Sequence, residues 1–284
     1  MIKINRGNLA IIAASYLEEL KNKKKQFNKK RNNVLQNFWV DNRDRIIKSN
    51  DLNSIIKEFE ALNQDGFADF KTYMIGQYEE IFYNKKIGKW LSKELNVKTC
   101  PYCNRQYTFT IEKGTKTIRP EFDHFHSKSE FPYLALSFYN LIPSCSICNH
   151  TKLDDLIDTS PYIGGFEDNF KFRIKTKTGE EESLDWALEE DIEIDFSDTN
   201  LNIGAFALKE LYNEHIDYVK EIIDKAQAYN HSYYTSLIDS YKGLGKQEAD
   251  IDRFIWGNYL ENAEHEKRPL SKLTKDILQQ LKIK

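Results

Sequence analysis

No stretch of these 284 residues is long and apolar enough to cross a bilayer as a helix. The one early apolar run, residues 9–14, soon meets Glu18 and Glu19. It has neither a basic start nor a small-residue cleavage pattern, which argues against a secretory leader and makes the cytoplasm the expected location. Cysteine is scarce. There are four, and none stands outside two C-x-x-C pairs. In a reducing compartment that usage favours a metal over disulfides. No internal repeat is visible, so a stacked-repeat architecture is not expected. A strong overall charge is missing too: the formal net charge is −3, which by itself says nothing for a nucleic-acid partner. What remains, 40% hydrophobic and 30% charged residues, suits one or two domains with real cores.

Charge is unevenly placed. Residues 1–50 hold twelve Lys or Arg against four Asp or Glu, densest at Lys21, Lys23, Lys24, Lys25, Lys29, Lys30 and Arg31. Residues 180–200 hold ten acids and no base. Such runs are either solvated faces or, respectively, a backbone-binding stripe and an acidic surface facing a partner.

The periodicities predict an α+β chain, mainly helical, in three regions: 1–95, 96–160 and 161–284. Leu9, Ile12, Ala13, Tyr16, Leu17 and Leu20 recur at helical spacing, as do Ile55, Ile56, Phe59 and Leu62 after a possible cap at Asp51 or Asn53. Phe67, Phe70, Tyr73, Met74, Tyr78, Ile81 and Phe82 extend the pattern and read as core. The middle region predicts a strand over 107–111, a turn at Gly114, a returning strand over 118–125 and a short helix over 149–157. Phe170, Phe172 and Ile174 alternate, as do Ile192, Ile194 and Phe196. Helical spacing returns from residue 201, with a further helix over 247–264 and a last one that Pro269 can open.

The cysteine pairs are Cys100-Pro101-Tyr102-Cys103 and Cys145-Ser146-Ile147-Cys148. Four thiolates in two tight knuckles match a closed tetrahedral Zn²⁺ site, with no position left for water, so the expected zinc is structural. The pairs are further apart than in a simple zinc ribbon, so a folded hairpin must be inserted between them.

That insert carries Asp123-His124, then Asn140, and the second knuckle runs straight into Asn149. At these residues the chain resembles the HNH endonucleases, the ββα-metal nucleases, whose pattern is an acid-His pair on a strand, a central Asn in a loop and a terminal His or Asn on a helix. The resemblance implies a ββα-metal core inside flanking helical regions, and hydrolysis of a phosphodiester. That chemistry needs an activated water, charge neutralisation at the phosphate and help for the leaving oxygen. His124 is the expected general base. Asp123 and Asn149 are the expected oxygen ligands of Mg²⁺ or Mn²⁺. Asn140 is expected to hold the loop that orients His124, and Lys128 and Lys152 to touch phosphate. Neighbours on a flat strand face opposite ways, so Asp123-His124 requires a strand end or a strong local twist. His126 reads as a metal ligand, a phosphate contact or a bystander. The family often has an apolar residue there and a proline next, where this chain has His126 and Ser127.

Three further stretches narrow the likeness. They are Phe131-Pro132-Tyr133-Leu134-Ala135, Leu211-Tyr212-Asn213-Glu214-His215 and Arg268-Pro269-Leu270-Ser271-Lys272. Together with the block around His124 they resemble the nuclease subunits of Septu-type anti-phage systems. That implies bacterial defence and an ABC-type ATPase partner; the expected substrate is DNA, although the HNH site does not itself decide DNA from RNA. The alternatives are an RNA-cutting enzyme of the same fold, aimed for example at tRNA, and a non-catalytic zinc-stabilised nucleic-acid-binding module.

Overall fold

The structure, a computed structural model, describes residues 1–23, 33–84, 86–166, 170–177, 188–229 and 231–283. The basic residues Lys24, Lys25, Lys29, Lys30 and Arg31 and the acids of 180–187 lie outside the described residues. The chain is α+β and mostly helical, with small two-stranded antiparallel sheets. No described helix is long and apolar enough to cross a membrane. Two compact units are each assembled from separated segments, across the consecutive regions read from the sequence. One gathers Met1–Ile4, Lys98–Tyr107 and Ile157–Lys284; the other gathers Asn5–Val97 and Thr108–Leu156.

The second of these opens with helices α1 (Leu9–Lys23), α2 (Val34–Lys48), α3 (Leu52–Glu60) and α4 (Phe67–Tyr78). Side-chain oxygens of Asn33 and Asp51 cap α2 and α3, each accepting a first-turn N–H at 3.0 Å. The aromatic stripes are core: Trp39, Phe59, Phe70, Tyr78 and Phe82 are buried. Trp39 donates its indole N–H to the Tyr133 carbonyl at 3.0 Å, and Phe59 stacks on Tyr133 at 3.8 Å. After α4 the chain makes a π-helical turn, Glu79–Asn84, before α5 (Ile87–Leu95). Gly88 is required there: a Cβ would stand 2.6 Å from the Phe82 ring. Lys21 of the basic stretch is already paired, with Glu18 at 3.0 Å and Asp44 at 2.8 Å.

The strands of this unit differ from the expected hairpin. Only short, exposed strands β1 (Ile111–Lys113) and β2 (Lys116–Ile118) meet across Gly114. Pro120, which has no N–H to give a ladder, separates them from β3 (Glu121–His124). β3 pairs antiparallel with β4 (Leu141–Ser144), with Phe122 opposite Pro143 and His124 opposite Leu141. Helix α6 (Ser146–Lys152) follows at once, three residues earlier than expected, because the Cys145 sulfur caps it by accepting from Cys148 N–H. Its end is set by Leu153 at φ +50. The succession is strand, strand, helix.

The other unit pairs β5 (Phe172–Thr176) with β6 (Ile192–Phe196), burying Phe172, Ile174, Ile192 and Ile194. Helices α7 (Leu201–Ala205), α8 (Leu208–Asn213), α9 (Ile216–Ala228), α10 (His231–Gly243) and α11 (Glu248–Trp256) follow. Gly257 at φ +73 ends α11, eight residues before the spacing predicts. Helix α12 (Ser271–Gln280) packs on β5: Gln280 bonds both the N–H and the carbonyl of Ile174, and Asp276 accepts from Phe172 N–H at 2.9 Å. Asp276 and Lys272 form a buried ion pair at 2.6 Å. The acidic stretch is partly neutralised, since Lys175 and Lys209 each pair with both Glu193 and Asp195.

Candidate functional site

Cys100, Cys103, Cys145 and Cys148 are buried, form no disulfide, and bring their sulfurs within 4.8 Å of one another. Four Zn–S bonds of about 2.3 Å define a tetrahedron with edges of about 3.8 Å, so the donor set suits a structural metal such as zinc. Backbone N–H groups point at two of the sulfurs, Arg105 N at Cys103 (3.4 Å) and Cys148 N at Cys145 (3.5 Å). Such dipoles favour the thiolate that a metal needs. The first knuckle turns at Asn104, whose φ of +48 is left-handed, a conformation that Asn tolerates better than most residues. Its side chain is a hub. It donates to Thr99 and to the His265 carbonyl and accepts from Lys272 N–H, while its own carbonyl takes the Leu270 N–H. Among the described residues, these cysteines are the only set of three or more His, Cys, Asp or Glu side chains close enough to share an ion.

Asp123 and His124 are both buried, and His124 is the last residue of β3. Residues two apart on a strand share a face. Asp123 and Glu121 face α6: Asp123 lies 3.6 Å from Lys152, and Glu121 accepts from the Asn149 amide at 2.7 Å and lies 3.3 Å from His150. Phe122 and His124 take the opposite face, against Phe82 (5.1 Å between ring centres) and Tyr78 (4.7 Å). The acid and the imidazole therefore diverge from a strand end.

The His124 ring is fixed in one tautomer. Its Nε2 sits 3.0 Å from the Ala135 carbonyl, which only accepts, so Nε2 carries the hydrogen and Nδ1 keeps its lone pair. Burial first, then the charge of Lys128, push its pKa down to about 3, against the opposing pull of the Ala135 bond. The imidazole is neutral at pH 7. Asn140 anchors the same loop. Its amide oxygen accepts from His126 N–H at 2.7 Å, and its NH₂ donates to the carbonyls of His126 (3.0 Å) and Leu134 (3.1 Å), the residue before His124's own anchor.

Lys152 corrects the sequence reading. It was expected to meet phosphate, yet its side chain is wholly enclosed and donates to the His124 carbonyl at 2.9 Å. It ties Asp123 and the backbone of His124 together from below. Lys152→Met should therefore remove the cation beside the buried Asp123 carboxylate and the donor to the His124 carbonyl, and cost about 1–3 kcal/mol. Asp123→Asn in the same chain should restore part of that loss. Urea unfolding of the three variants checks it, and an unchanged midpoint in Lys152→Met would contradict the pairing.

Lys128 is half-buried with its ammonium 5.6 Å from the Tyr78 ring centre. His126 lies between Phe125 and Phe131, and its ring contacts are aromatic. Burial lowers its pKa to about 4, so it too is neutral. Sequence reading missed Glu121. By taking the NH₂ of Asn149, Glu121 leaves the amide oxygen as that residue's remaining polar atom. The available signal was its i, i+2 relation to Asp123 on one strand face. Comparison with models of known families, with curated proteins and with solved structures gives no match.

Proposed function

We propose that this chain is a metal-dependent HNH endonuclease that hydrolyses DNA phosphodiester bonds, with zinc at the four cysteines. The observation that carries the reading is His124: a neutral imidazole at a strand end, its Nε2–H spent on a carbonyl and its Nδ1 lone pair retained. That is the protonation state a general base needs at neutral pH. The strand–strand–helix order of β3, β4 and α6, with Asp123 on the first strand and Asn149 on the helix, supports the same class.

His124 Nδ1 takes the proton of the attacking water. Ala135 and Asn140 hold the ring in place, the second as a positioning residue acting through the loop. Lys152 keeps β3 and α6 in register beneath the site. The Asp123 carboxylate and the Asn149 amide oxygen are hard donors of the kind Mg²⁺ accepts alongside waters and a substrate phosphate. When bound there, Mg²⁺ or Mn²⁺ supplies charge stabilisation at the scissile phosphate and the departing oxygen.

Plasmid nicking with Mg²⁺ or Mn²⁺, with and without chelator, tests the activity, and an RNA substrate run in parallel tests the DNA preference. No cleavage by folded, zinc-loaded protein would overturn the reading. RNA cleavage alone would move the activity to the RNA-cutting alternative. In the same proposal the chain is the nuclease subunit of an anti-phage complex with an ABC-type ATPase, which the Septu-like stretches support. Gel filtration of the co-expressed pair tests that part.

A further inference from the structure

A connected set of rings and cations runs from His124 to the surface of the unit that contains it. The Tyr78 ring lies 4.7 Å from the His124 ring and is itself 1% exposed. Tyr83 lies 5.7 Å from Tyr78, with the ring planes at 90°, and is 54% exposed. The two tyrosines come from the junction of α4 and the π-helical turn Glu79–Asn84, a kind of turn that recurs at functional sites. Tyr78 also stacks on Phe82, which meets Tyr83 edge-on at 6.1 Å. The exposed ring is thus braced by two buried ones.

Each tyrosine has a cation over it. The Arg119 guanidinium is 5.9 Å from the Tyr83 ring centre, and the Lys128 ammonium is 5.6 Å from that of Tyr78. Among the described residues neither cation is paired with a carboxylate; Arg119 donates to the Pro120 carbonyl at 2.7 Å. The hairpin that leads into Arg119 has the same sign. Lys113 and Lys116 are exposed at its tip, and its one acid, Glu112, is paired with Lys89 and Lys93. Glu121, two residues beyond Arg119, is engaged with Asn149 and His150 toward α6.

We infer that Tyr83, Arg119 and Lys128 form a strand-binding strip of the site, an inference that rests on the endonuclease reading. The cations take backbone phosphates, and the Tyr83 ring stacks on one unpaired nucleobase. Flat bases on an evenly charged backbone are the one common ligand that satisfies an exposed, rigid aromatic and two unpaired cations at once. A carboxylate-bearing peptide would match the cations and leave the ring unused. The strip gives a reason for local strand opening at the cut: the base on Tyr83 is out of the stack while its phosphate is near His124.

Binding is read without cleavage, by fluorescence anisotropy of a labelled single-stranded DNA and of the matching duplex. The zinc-loaded protein is used in buffer free of Mg²⁺ and Mn²⁺. Tyr83→Ala should weaken single-strand binding about ten-fold, and Tyr83→Phe, which keeps the ring, should bind as the wild type does. Arg119→Ala and Lys128→Ala should each lower the slope of log affinity against log salt by about 0.7. Unchanged zinc content and thermal unfolding confirm that the variants are folded. Wild-type affinity in Tyr83→Ala, or an unchanged salt slope in both cation variants, overturns the strip whatever the plasmid assay shows. If nicking is absent but Tyr83→Ala still loses single-strand binding, the strip stands as a binding surface and the endonuclease reading falls.

Discussion

His124→Ala should lose about 10²–10⁴-fold in cleavage rate and leave the metal content of the chain unchanged. The lone pair at Nδ1 is the base at the end of β3, and neither neighbouring candidate takes its place: the half-buried His126 ring lies between Phe125 and Phe131, and Lys152 is a buried cation. Removing the ring also removes its contact with Tyr78 and its bond to Ala135, so about 1–3 kcal/mol of stability should go with it. His124→Asn separates the two effects, since the amide can still donate to the Ala135 carbonyl but is no base. Both variants should be inactive, and the second should be closer to the wild type in thermal unfolding. Undiminished nicking by either, measured under single-turnover conditions, would remove His124 from the chemistry.

Stripping the metal, or replacing Cys145 by serine, should have the larger effect on the fold. Structural zinc binds with an apparent free energy of about 10–16 kcal/mol in zinc-finger peptides, which is as large as the whole stability of many domains. The apo chain should therefore unfold at a much lower temperature or without a cooperative transition. Cys145 does two things: it is one of four sulfurs, and it caps α6. Its loss should fray the helix that carries Asn149 and Lys152, so activity should fall with structure. Elemental analysis should find one zinc per chain. A metal-free chain with the unfolding temperature of the loaded one would refute a structural role.

How far these features were legible in the sequence depends on whether the causes were local. The helices of residues 9–95 were legible because their apolar spacing and their capping residues, Asp51 among them, act within a few residues. The cysteine cluster was legible because thiols in C-x-x-C pairs have few other uses in such numbers. The partner of β3 was not. Gly114 offers a short local hairpin, whereas β4 contains Pro143, which in a longer sheet argues against a strand. In a two-stranded sheet each strand is an edge, so a missing N–H can face outward at no cost. The start of α6 was hidden because its cap is a sulfur and not one of the usual oxygen side chains. Lys152 was misread because a lysine next to a candidate site looks like a phosphate ligand until its burial is known. Glu121 was passed over because its role exists only once α6 lies across β3.

Asn104 has a consequence for how the molecule is made. The first cysteine knuckle turns on a residue whose side chain is satisfied by the His265 carbonyl, 161 positions further along, and by the start of α12. A ribosome will have released Cys100, Cys103, Cys145 and Cys148 long before it delivers those partners. The knuckle reaches its final shape only after residue 272 has emerged. Metal capture by the nascent chain is therefore provisional, and a truncated translation product should hold its zinc weakly. Incomplete copies of the chain should then be more open to proteolysis than the finished one.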